Sequence, residues 1–191
     1  MATIPSQKRI GFDLDGVIAD YVEAKIYFAK QLGFNLTPHQ TQSEILRKLL
    51  PEAKLDELKH KLFGDFNDST KLPLIKGAKE GLKLIADSGL DFYLISRRKA
   101  PEVAIQLLKH HNLWPQYFNE DNAYFVITPE DKNIRAKALR ITHYIDDEHK
   151  VLEALVDVKH KYLLDMFDNF NDNRLYTRLK SWDDIIKHVI L

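Results

Sequence analysis

Apolar positions along this chain keep two rhythms, and the change between them falls near residue 73. Ile10-Gly11-Phe12 reads as a short buried strand running into the polar turn Asp13-Leu14-Asp15-Gly16. Helical spacing follows. Val22, Ile26 and Ala29 mark a helix over about 21–32 that Gly33 stops. Thr37-Pro38, with Gln40 completing a capping box, opens a second helix ending before Pro51. A third runs through Leu55, Leu58 and Leu62 to Gly64. Beyond it, short apolar runs alternate with helices. Phe92–Ile95, Tyr124–Ile127, His143–Ile145 and Tyr162–Leu164 read as strands. Helices are expected over 77–86, 101–110, 131–140, 148–156 and from the Ser181 cap to Ile190.

Counting the first strand, five apolar strands alternate with helices, which predicts a parallel sheet covered on both faces. The all-helical stretch interrupts that alternation. The expected organisation is therefore an α/β core from residues 1–17 and 73–191, with a helical insert over 18–72.

Composition narrows the options further. The chain has 191 residues, 45% hydrophobic and 29% charged, enough to bury a sizeable core without staples. It contains no cysteine, so disulfides, thiolate nucleophiles and cysteine-bound metals are excluded. Acidic and basic residues balance at 28 each, so no global field draws in a nucleic acid polymer. The opening MATIPSQKR is too short and polar for a secretory signal, and no apolar run is long enough for a membrane span. A soluble, cytoplasmic protein is expected.

The chemistry collects at strand ends. In an open parallel sheet the ligand crevice lies at the carboxyl edge. Asp13 and Asp15 follow the first strand, Ser96 the second, and Asp146-Asp147 the fourth; Lys132 comes soon after the third. So many converging carboxylates repel one another, and a divalent cation with oxygen preference relieves that. Magnesium shares phosphate oxygens readily, which points to phosphoryl chemistry. Asp146-Asp147 also suit a helix N-terminus. The eight histidines show no ligand spacing such as His-Glu-x-x-His and read as structural or surface residues.

Phe12-Asp13-Leu14-Asp15-Gly16-Val17 resembles the first motif of haloacid dehalogenase (HAD) superfamily phosphatases. Ile95-Ser96, Lys132 and Ile145-Asp146-Asp147 resemble the second, third and fourth, in order. The resemblance implies a Rossmann-like three-layer sandwich with sheet order 3-2-1-4-5 and a small helical C1 cap over 18–72. It implies Asp13 as nucleophile, carrying a covalent phosphate, and Asp15 as the acid that protonates the leaving oxygen. Enzymes that break carbon–halogen bonds need no such acid there. Ser96 and Lys132 would hold the phosphoryl group. Magnesium would sit on the Asp13 carboxylate, the Asp15 carbonyl and one of Asp146 and Asp147, with Asp147 preferred. Lys137 competes with Lys132 for the third motif but lies about 7.5 Å further along the helix.

The insert offers Tyr21, Phe28, Phe34, Phe63 and Phe66, aromatics that mostly suit packing. Tyr21, at the entry of the insert, is the one placed to face a substrate, and Arg97 and Arg98, after the second strand, either reach its phosphate or serve as helix-capping or surface residues. Asp15–Tyr21, Tyr162–Asp165 through Asn169, and Leu179–Trp182 resemble the 5′(3′)-deoxyribonucleotidase branch. Ser96-Arg97-Arg98 departs from that branch. The expected activity is hydrolysis of a small phosphomonoester, such as a nucleoside monophosphate. The alternatives are sugar phosphates or other metabolites, and a non-catalytic binding protein.

Overall fold

The computed structural model describes residues 8–63, 70–171 and 173–190. Its centre is one parallel sheet of β1 (Arg9–Phe12), β2 (Asp91–Arg97), β3 (Ala123–Val126), β4 (His143–Asp146), β5 (His160–Leu164) and β6 (Thr177–Leu179). The strand order is β3-β2-β1-β4-β5-β6. Six strands thus replace the expected five. The added β6 has the sequence Thr-Arg-Leu and, among the described residues, pairs only with β5. An edge strand buries little, so no apolar run marked it.

Strand side chains alternate between two cores. Leu94, Ile145 and Leu164 join one apolar cluster, whereas their neighbours Ile95, Tyr144 and Leu163 join the other. The first face is covered by α4 (Ala78–Asp87), α5 (Pro101–His110) and α8 (Trp182–Val189). The second carries α6 (Pro129–Ala138) and α7 (His149–Ala154). That is the three-layer arrangement, and burial on both faces explains why the strands read as continuous apolar runs.

Trp182 links the ends of the described chain. Its ring stacks on Phe12 at 5.4 Å, and its indole N–H donates to the Val17 carbonyl at 2.7 Å. A Cβ on Gly81 would come within 2.3 Å of the indole, so glycine lets α4 approach that closely.

Between β1 and α4 the chain forms α1 (Val22–Gln31), a 3-10 turn (Pro38–Thr41), α2 (Ser43–Leu49) and α3 (Glu52–Phe63). The second expected helix is therefore broken. The Thr37–Gln40 capping box closes only the short turn, and Gln42 caps α2 separately by accepting from the Glu44 and Ile45 amides. Gly64 and Phe66 lie outside the described residues. Leu46, Leu58 and Leu62 bury the insert's inner face. Polar ties join it to the strand ends: Gln42 donates to the Asp147 carbonyl at 3.0 Å, and Arg47 pairs with Glu148 at 3.0 Å.

Candidate active site

β1 lies between β2 and β4, so the strand order reverses beside it and a crevice opens at its carboxyl end. The Asp13 amide donates to the Ile145 carbonyl at 3.0 Å, which continues the β1–β4 pairing to the first residue of the loop. Gly16 then turns the chain at φ +79°, and a Cβ there would fall 2.4 Å from Asp147 Oδ2. Only glycine gives both the left-handed turn and that approach. Carboxylate oxygens of Asp13, Asp146 and Asp147 consequently lie within 4.8 Å of one another.

Lys132 closes the cluster. The Thr128 capping box with Asp131, and Pro129 in the first turn, start α6 at Pro129 rather than at the expected 131. This puts Lys132 near the strand ends and fully buried, its ammonium 3.0 Å from Asp13 and 2.7 Å from Asp146. The ammonium also lies 5.5 Å from the centroid of the Tyr144 ring, and the Tyr144 hydroxyl donates to the Ile95 carbonyl. Lys137, the competitor, points away and pairs with Asp157 with 69% of its side chain exposed.

Burial pushes the Asp13 carboxyl up, and Lys132 pulls against it. Burial likewise raises Asp146 to about 7 and Asp147 well above the usual carboxylate range, the latter with help from Asp146. Burial alone would lower Lys132, but Asp13 and Asp146 more than reverse it and hold the ammonium charged. An all-oxygen donor set of mutually repelling carboxylates fits magnesium. Asp146 is committed to Lys132 and to the Glu148 amide, whereas the Asp147 carboxylate has no hydrogen bond or ion pair among the described residues.

The remaining candidates are placed less simply. Ser96 is fully buried, and its hydroxyl has no partner among the described residues. Arg97 pairs with Glu148 at 2.9 Å, while its buried Nε is unpartnered. Asp15 is turned from the trio: both its oxygens accept from Arg98, at 2.5 and 3.2 Å. Arg98, only 7% exposed, also donates to the Tyr21 hydroxyl and lies 4.9 Å from the centroid of the Phe63 ring. Tyr21 is 2% exposed and tilted against Phe63, which leaves a base little ring to stack on. Tyr21 thus lines the cavity while wedged between insert and core.

Sequence reasoning did not single out Glu148, and it offered Arg98 to the phosphate rather than to Asp15. For Arg98 the available signal was its even spacing from Leu94 and Ser96, which suggests the same side of β2.

No protein-family model matches the chain, and no curated protein is similar to it in sequence. Solved structures are similar in fold. A HAD family hydrolase from Deinococcus radiodurans with bound phosphate and sodium has TM-score 0.62 and 18% identity, over 94% of this chain and 93% of its own. The HAD-hydrolase YfnB from Bacillus subtilis, bound to magnesium, has TM-score 0.62 and 13% identity, over 97% and 99%. A dehalogenase with an intermediate complex has TM-score 0.66 and 12% identity, over 98% and 99%. The chain therefore has the Rossmann-like α/β fold of the HAD-superfamily hydrolases, with a sixth strand at the sheet edge. Among the described residues no helix is long and apolar enough to cross a membrane.

Proposed function

We propose that this protein is a magnesium-dependent phosphomonoester hydrolase working through an aspartyl-phosphate on Asp13. The observation that carries the reading is the fully buried Lys132 ammonium between Asp13 and Asp146, with the Asp13–Asp146–Asp147 trio around it. A buried cation beside a carboxylate at a strand end suits a group that gathers negative charge during transfer. Neighbours of this fold with bound phosphate and with bound magnesium support it.

Asp13 attacks phosphorus; its oxygen–phosphorus bond forms as the ester bond breaks, and Asp15 gives its proton to the leaving oxygen. Water then attacks the phosphorus, Asp15 takes a proton from it, and inorganic phosphate leaves as the Asp13 carboxylate is restored. Lys132 holds charge on the phosphoryl oxygens, and the unpartnered Ser96 hydroxyl and Arg97 Nε are offered to them. Asp13, Asp147 and the Asp15 carbonyl would hold magnesium, which would supply further neutralisation of that charge.

Dehalogenases share the fold, and Asp15 argues against their reaction because a carbon–halogen bond needs no proton donor on leaving. The nucleotidase-like runs keep nucleoside monophosphates as a candidate substrate, but the buried Tyr21 favours other small metabolites. The test is turnover of p-nitrophenyl phosphate and acetyl phosphate with magnesium. Activity abolished by chelator and restored by magnesium is expected; full activity in excess chelator would overturn the scheme.

A further inference from the structure

The pairing of Asp15 with Arg98 sets a condition on catalysis. A carboxylate that accepts from one guanidinium on both oxygens is held turned toward it, away from the carboxylate trio beside which the phosphoryl group is transferred. Arg98 is itself held by the Tyr21 hydroxyl and the Phe63 ring, so it does not simply drift into solvent. Something that competes with Asp15 for the guanidinium has to arrive with the substrate.

The cavity above the site says what that is. It holds about 690 Å³, far more than a phosphoryl group requires. Lys25, Arg47, Lys59, Arg97, Arg98 and Lys99 all line it. Apart from the metal-binding carboxylates, its acids are Asp15, Asp56 and Glu148, so cations exceed them by three. Glu148 is already shared between Arg47 and Arg97, and Lys99 is exposed with no partner among the described residues. Lys132 and the acidic trio lie with the transferring phosphoryl group, so the excess of positive charge faces the rest of the substrate.

Building on the hydrolase reading, we propose that the substrates are phosphomonoesters whose leaving group carries a second anion, a carboxylate or a second phosphate. Arg98 receives that anion and in doing so releases Asp15 to act as the acid. The second charge is thereby both the specificity determinant and the trigger.

The experiment compares kcat/KM, with magnesium, within matched pairs. One pair is 3-phosphoglycerate against glycerol 3-phosphate, for a carboxylate; the other is a sugar bisphosphate against its monophosphate. A preference of about tenfold to hundredfold for the doubly anionic member of at least one pair is expected, the scale of a charge-assisted contact. In Arg98→Gln that ratio should collapse toward one, and Arg98→Lys should keep part of it. Lys99→Glu, at an exposed position, should also reduce it, which keeps the idea testable if the Arg98 variants do not fold. Equal rates within both pairs, alongside good turnover of acetyl phosphate, would overturn this inference and leave the hydrolase reading standing. A preference that survives in Arg98→Gln would remove Arg98 as receptor. No turnover of any phosphate ester, acetyl phosphate included, would overturn both.

Discussion

At its start β4 buries His143, and at its end it buries Asp146, so one four-residue strand carries an ionisable group into the interior at either edge of the sheet. The two ends treat charge in opposite ways. His143 stacks on His160 at 4.5 Å, and burial followed by His160 lowers its pKa to about 4, so the ring stays neutral. Asp146 meets Lys132 at 2.7 Å and stands beside two further carboxylates, which together hold the lysine's charge in the interior. Pairing buried ions is a weak route to stability, because desolvation offsets most of the attraction. The carboxyl edge therefore keeps charge that packing alone would not favour, and the amino edge sheds it.

The sharpest way to break that contrast is Asp13→Asn. Turnover of p-nitrophenyl phosphate should fall by about 10⁴-fold or more, because an amide does not form the covalent intermediate. No phosphate should remain bound covalently in a quenched reaction. Lys132→Met comes next: it leaves Asp13 and Asp146 buried without their cation and should destabilise the fold by about 3–5 kcal/mol in urea unfolding. Magnesium should restore part of that loss; a variant as stable as wild type without metal would remove the idea that the lysine holds the cluster together.

Magnesium itself should stabilise the wild-type protein by about 2.7 kcal/mol at a hundred times its Kd. That is roughly 5–10 °C in Tm for a chain of this size. Asp147→Asn should shrink the shift, and an unchanged shift would take Asp147 out of the metal site. The smallest effect belongs to the amino edge. His143 has a lowered pKa in the folded state, so its contribution to stability is complete above 6.5 and is lost as pH falls toward about 4. His143→Phe should flatten the pH dependence of Tm across that window, and an unaltered slope would mean that other groups set it.

How far the sequence reveals all this depends on burial. β1 to β5 are legible because a strand covered on both faces must be apolar throughout. β6 is not, since only Leu179 of its three residues is buried and its pairing is decided by β5. The acidic trio is legible as residues at the ends of adjacent strands, and Lys132 as the lysine nearer the start of its helix. The Arg98–Asp15–Tyr21 contact is not. A long side chain reaches many partners, and this one is fixed only when the insert brings Phe63 over it. The same contact explains why Tyr21, placed by sequence at the mouth of the site, is buried while it still lines the cavity.

The bond from the Trp182 indole to the Val17 carbonyl spans 165 positions of sequence and ends on the loop that begins with Asp13. During synthesis the strand bearing that loop emerges early, and β4, which flanks it, comes more than a hundred residues afterwards. At about 5–20 residues per second, the opening segment waits on the order of ten seconds for the indole that backs it. The edge that carries the carboxylate trio is thus completed late. A nascent chain stalled before α8 should lack that support, leaving Phe12 and Val17 as surfaces for a chaperone to cover.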